Sequence, residues 1–96
     1  MNAVIEAVAT HFMIPPDEVL AGMQGKRGIA RMSAIYLAKK LCTSTIAVIA
    51  SRFGIGTSAV SVGLKRLEER WLKQPDLKAE INEIENELRR RGNSID

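Results

Sequence analysis

The residues best equipped for chemistry in this chain are its cations, and their placement is uneven. Residues 1–25 carry a net −3, residues 26–73 a net +8 and residues 74–96 a net −2. Lys26, Arg27, Arg31, Lys39 and Lys65 fall in the middle block, where clustered fixed charge suits the neutralisation of phosphates. Thr57, Ser58, Ala59, Ser61 and Val62 stand in the same block and are short enough to let a helix approach base edges. Residues for covalent or metal chemistry are thin. His11 is the only histidine and Cys42 the only cysteine, so a metal site would need carboxylates to converge on one of them. Tyr36 has no neighbouring base and reads as a packing residue. The stretch GMQGKRG resembles a phosphate cradle only in part: Leu20 stands where a P-loop needs glycine, and Arg27 follows Lys26 where it needs Ser or Thr. No catalytic cluster, cofactor site or metal site is expected, and an enzyme is the weakest reading.

The elements that must position these residues follow from apolar periodicity. Thr45 to Trp71, TIAVIASRFGIGTSAVSVGLKRLEERW, reads as two helices at a sharp angle. The first, about Ile46 to Phe53, buries Ile46, Ile49, Ala50 and Phe53 at i, i+3, i+4, i+7. Gly54, Ile55 and Gly56 break it, with Gly54 suited to a left-handed C-terminal position. Thr57 or Ser58 is expected to cap the second helix through its side-chain oxygen, and Val60, Leu64, Leu67 and Trp71 form that helix's inner face. This spacing is the pattern of a helix-turn-helix, about residues 45–73, which presents its second helix to a DNA major groove. A tight helical hairpin inside an ordinary bundle gives the same spacing, and the outward face of the second helix favours the first reading. That face carries small neutral residues first and Lys65, Arg66, Arg70 and Lys73 later, as a helix does that meets bases with its N-terminal end and phosphates further along.

Around this pair the chain reads as more helices. Asn2 to Phe12 carries a stripe of Val4, Ile5, Val8, Ala9 and Phe12. Pro15 and Pro16 end it, and Pro16 opens a short helix through Leu20 with Asp17 and Glu18 in its first turn. Gly22 to Gly28 is expected to be a flexible basic loop. A third helix, about Ile29 to Leu41, puts Ala30, Ala34, Leu37, Ala38 and Leu41 inward. Leu77, Ile81, Ile84 and Leu88 form the seam of a last helix, about residues 76–91, expected to dock on the chain's own core and cover Leu67 and Trp71. Residues 92–96 are read as a frayed tail.

Length and composition bound the function. A chain of 96 residues with 46% hydrophobic side chains makes one core, here residues 1–91. Aromatics at 4% leave that core aliphatic and disfavour a stacking platform for single strands. No apolar run reaches the length of a membrane span, and one cysteine permits no intrachain disulfide; the expectation is a cytoplasmic, nucleoid-associated protein with no membrane partner and no small-molecule substrate.

The stretches IPPDEVL, ARMSAIYLAKKL, IAVIASRFG and SAVSVGLKRLE together resemble the C-terminal DNA-binding domain of the bacterial replication initiator DnaA and the related C-terminal domain of REP-associated tyrosine transposases. The resemblance covers about residues 4–90; IYLAKKL and SAVS look more like the transposase type. It implies duplex DNA as partner. Arg31 and Lys39 fall where the initiator domain has phosphate-contacting residues on its long helix. Ile46 and Ala47 open the helix that approaches the DNA backbone and thymine methyls in that family, and Lys26 and Arg27 lie in the basic loop that sends an arginine into the minor groove. One departure stands out. The initiator's Asp-His-Thr-Thr-Val signature after a Gly-Gly-Arg turn is replaced here by Gly56, Thr57, Ser58, Ala59 and Val60 after a turn one residue shorter. Helix-in-groove docking is implied, and recognition of the initiator's own box is not. The chain has neither an ATPase module nor a His-x-His pair with a downstream tyrosine, so neither origin opening nor strand transfer is assigned to it.

The expectation is an all-α bundle of five to six helices with a helix-turn-helix, binding duplex DNA with a salt slope of roughly −4 to −5 for about four to six neutralised phosphates. The rival is a helical interaction module that keeps the fold without DNA and dimerises through the Leu77–Leu88 seam. Two origins stay open, a standalone small DNA-binding protein or a domain of a larger parent protein, and the start of the chain almost at once in a helix slightly favours the second.

Overall fold

The apolar stripes are buried helix faces in the computed structural model, which describes the backbone of residues 2–21, 25–42 and 44–91 and the side chains of all of these but 21 and 25–27. Among the described residues there are six helices and no strand: α1 (Asn2–Phe12), α2 (Pro16–Ala21), α3 (Gly25–Leu41), α4 (Ile46–Phe53), α5 (Thr57–Lys73) and α6 (Pro75–Arg91). The all-α expectation holds. No single helix among the described residues is long and apolar enough to cross a membrane.

Helix α3 is the hub. It packs against α1, α2, α4 and α5, and Ala30, Ser33, Ala34, Ile35, Leu37 and Ala38 are all fully buried. Three alanines four residues apart let neighbouring helices come close on one side, while Ile35 and Leu37 fill the space on the others. Its start differs from the sequence reading. Residues 25–28, expected in a flexible loop, are the first turn of α3; residues 22–24 lie outside the described residues, as does the 92–96 tail. A helical glycine costs only about 1 kcal/mol relative to alanine, and a long helix held on several sides by packing outweighs two such costs.

The remaining helices cover this hub. Val4, Ile5, Val8, Ala9 and Phe12 of α1 are buried as read, joined by Ala7. The α6 seam of Leu77, Ile81, Ile84 and Leu88 is buried within the chain, against α1 and α5. Trp71 is half-buried and meets Tyr36 edge-to-face at 5.1 Å, so Tyr36 ties α3 to α5. Cys42 is buried just beyond the end of α3.

Two helix ends share one device. At the end of α4, Gly54 is left-handed at φ 68°; its N–H donates to Ser51 O at 3.2 Å and Ile55 N–H to Ala50 O at 3.0 Å, the paired bonds of a Schellman turn. At the end of α1, Met13 does the same at φ 59°, with Ile14 N–H to Ala9 O at 3.0 Å and Met13 N–H to Thr10 O at 3.2 Å. A side chain at Met13 carries the steric cost that glycine avoids.

Candidate nucleic-acid interface

The three residues Gly54, Ile55 and Gly56 turn the chain so that α4 and α5 meet at 91°. Thr45 fixes the start of the corner: its side-chain oxygen accepts from Val48 N–H at 3.3 Å. Ile49, Ala50 and Phe53 of α4 and Val60, Leu64 and Leu67 of α5 are buried; Ile46 and Ile55 are half-buried against the core. The expected cap of α5 is corrected. Neither Thr57 nor Ser58 caps it; the cap is Gly56, in extended backbone at φ −78°, ψ 160°, with no side-chain hydrogen bond. Because the turn is short, the chain becomes helical already at Thr57, and the first intrahelical bond runs from Val60 N–H to Gly56 O at 3.2 Å. The N-terminal amides of α5 are therefore left without a side-chain partner.

The outward face is as short as the sequence implies. Thr57, Ser58, Ala59, Ser61, Val62 and Lys65 are all exposed. So is Ala47 on α4, while Ile46 turns partly inward. Val48 and Val62 keep 53% and 49% of their surface in solvent, the apolar points of an otherwise polar corner. Val48 was not singled out by periodicity, since it falls between the half-buried Ile46 and the buried Ile49.

A groove of about 480 Å³ runs between the first half of α3 and α5. Ile29, Met32, Ile55 and Leu67 supply apolar lining, and Arg31, Arg66 and Arg70 line it with Ala59 and Val62. Gly63 leaves room for the end of Met32, whose Sδ and Cε atoms a Cβ there would overlap. The Nε of Arg31 is buried and has no hydrogen-bond partner, an arrangement that favours an anion within reach. Arg31 thus lines the same groove as outward residues of α5. Arg66 and Arg70 were read only as flanking charges, and their alignment with Arg31 depends on how α3 crosses α5. Lys39 is exposed near the other end of α3, outside this groove. Lys26 and Arg27 are in the backbone of α3, and their side chains lie outside the described residues.

Charge pairing separates two sets of cations. Away from the groove, Lys40 Nζ and Arg89 Nη2 meet Glu85 at 3.0 and 2.9 Å, and Arg90 and Arg91 meet Glu87 at 2.8 and 3.4 Å. Arg52 donates to Asn2 Oδ1 at 2.8 Å, tying the start of α1 to α4. His11 Nε2 faces Glu80 at 3.4 Å. Among the described residues Arg31, Lys39, Lys65, Arg66 and Arg70 have no such acidic partner. Unpaired cations side by side repel one another until an external anion arrives. The exposed Glu68 and Glu69 mark where the basic face of α5 is interrupted. What Arg31, Arg66 and Arg70 can do together is bind anions along the groove between α3 and α5.

No protein-family model matches the chain. Over 90 residues, 92% of this chain and 21% of the relative, it is 30% identical to the chromosomal replication initiator protein DnaA of Nautilia profundicola. Over 93 residues, 95% of this chain and 21% of the relative, it is 30% identical to the DnaA of Thermotoga maritima. A protein named chromosomal replication initiator protein DnaA 2, from Chlamydia trachomatis, is 29% identical over 89 residues. The chain spans about a fifth of the length of the curated relatives it matches. Along nearly its whole length, then, the chain is DnaA-like, similar to a segment of replication initiator proteins.

Proposed function

We propose that this chain is a duplex DNA-binding domain in which α4 and α5 act as a helix-turn-helix, with α5 entering the major groove by its N-terminal end. The observation that carries the reading is a side-chain-uncapped helix start bearing Thr57, Ser58, Ala59 and Ser61, with Arg31 lining a groove beside Ala59 and the unpaired Lys65 and Arg66 about two turns further along α5. Short residues let α5 approach base edges, and the arginines and the free amides of its first turn hold phosphates on the flanks. Ile46 and Ala47 at the start of α4 and Lys39 on α3 extend the backbone contact, and Lys26 and Arg27 are assigned to it as further cations of the same block. Since the face lacks Asn, Gln and Arg forks in its first two turns, discrimination between sequences is modest. The parent protein is read as a replication initiator, on the likeness to the DnaA chains; a transposase-type parent is the second reading, carried by IYLAKKL and SAVS.

The test is fluorescence anisotropy of a labelled short duplex against this chain over a salt series. Groove docking predicts binding that falls with salt at a log–log slope of roughly −4 to −5 and is lost in Ser61→Glu, which places a carboxylate on the docking face. No binding at low salt sinks the proposal. Sedimentation alongside it addresses the rival: dimerisation through Leu77 to Leu88 requires a seam that the fold already covers, and a stable dimer without DNA binding would restore it.

A further inference from the structure

We infer that Val62 is a specificity-determining residue, reading the C5-methyl group that thymine presents in the major groove; this rests on the groove-docking proposal and deepens it. Val62 is exposed in the interior of a 17-residue helix, with 49% of its surface in water. Nothing about folding requires it there. Valine is a poorer helix former than alanine, lysine or glutamate, and an exposed one gains little burial in return. Its β-branch also leaves one strongly preferred helical rotamer, so two methyl groups are held in a fixed direction with little rotamer freedom left to lose on contact.

The surroundings say what those methyls meet. Val62 lines the groove with Ala59 and Arg66 on the α5 side and Arg31 on the α3 side. An apolar point flanked by unpaired guanidinium groups fits a ligand that is apolar where it faces the helix and anionic at its margins. A lipid surface would offer that combination over a broad area, but the outward face around Val62 is polar, with Ser58 and Ser61 exposed nearby. The floor of a DNA major groove fits better. There, thymine's C5-methyl is the apolar group among base-edge donors and acceptors, and phosphates run along both sides. Serine and threonine hydroxyls tolerate any base edge, so the methyl contact supplies the discrimination that the hydroxyls lack.

The experiment compares short duplexes that differ only in the methyl group. One pair holds A·T base pairs with thymine or with deoxyuridine, and a second holds G·C base pairs with cytosine or with 5-methylcytosine, which puts a methyl in the same place on the groove floor. Wild-type protein should bind each methylated member about fourfold more tightly, the equivalent of one buried methyl-sized group. Val62→Ala should lose most of the preference in each pair, and Val62→Ile should keep it. A wild-type protein indifferent to the methyl, or a Val62→Ala variant that keeps the full preference, overturns the inference while leaving duplex binding intact. Failure of every duplex to bind at low salt overturns the groove-docking proposal and this inference with it.

Discussion

At the scale of single residues, the division between paired and unpaired cations is the most informative feature. Lys40, Arg89, Arg90 and Arg91 hold carboxylates, whereas Arg31 and Arg66 face a groove with no acid beside them. Each of Arg31→Ala and Arg66→Ala is therefore expected to weaken duplex binding for all sequences alike and to lower the magnitude of the salt slope by about 1. Lys40→Ala should leave the slope unchanged; salt-dependent anisotropy reads all three. Gly63 makes a second prediction. A side chain there must displace the end of Met32, a flexible thioether that can swing aside, so Gly63→Val should cost about 1 kcal/mol by overpacking. Adding Met32→Ala should recover part of that loss, as a shift in the urea midpoint. The cluster of middle-block cations was legible in the sequence, but which of them are free was not. Pairing is decided by carboxylates on α6, more than forty positions away along the chain from Lys40.

At the scale of elements, helix existence followed from periodicity and helix ends from local chemistry, with two exceptions. The expected flexible loop over residues 22–28 is helical from Gly25 onward, because packing around α3 outweighs the modest penalty of its glycines. The expected side-chain cap at Thr57 or Ser58 is a glycine cap at Gly56, because preference alone does not say at which residue a short turn becomes helical. The left-handed ends offer a matched test. Gly54 has open space around its Cα, so Gly54→Ala would suffer from backbone conformation alone, about 1–2 kcal/mol. Met13 already bears that strain at φ 59°, and Met13→Gly should stabilise the fold by about 0.5–1 kcal/mol after the entropy of glycine is counted. Thermal melts should move in opposite directions for the two variants.

At the scale of the whole molecule, α6 is clamped to α3 by Glu85. Burial pushes its carboxyl up, but hydrogen bonds from Lys40 and Arg89 outweigh that and hold it below the ordinary carboxylate value of 4.5. The same contact with Glu85, over the Tyr36 ring, raises the Lys40 ammonium above its ordinary value. The sign for Glu85 is that of a lowered carboxylate. Its contribution is complete above the unfolded value of 4.5 and is lost as pH falls through the lower folded value. Glu85→Gln should therefore lower stability at neutral pH by about 1 kcal/mol and flatten the fall in urea midpoint below pH 4.5; an unchanged acid limb would count against the clamp.

The sequence by itself determined the helical class, the turn at Gly54 to Gly56, the inner faces of α1, α4, α5 and α6, and the concentration of positive charge in the middle of the chain. These are properties of neighbours one to seven positions apart, which backbone periodicity expresses directly. Only the tertiary structure decided that α3 is buried on most sides, that Arg31, Arg66 and Arg70 share one groove, and that the α6 seam is covered from within. Those facts depend on how helices cross. Where α3 crosses α5 the end of Met32 lies over Gly63, two residues whose relation no periodicity along the chain can express.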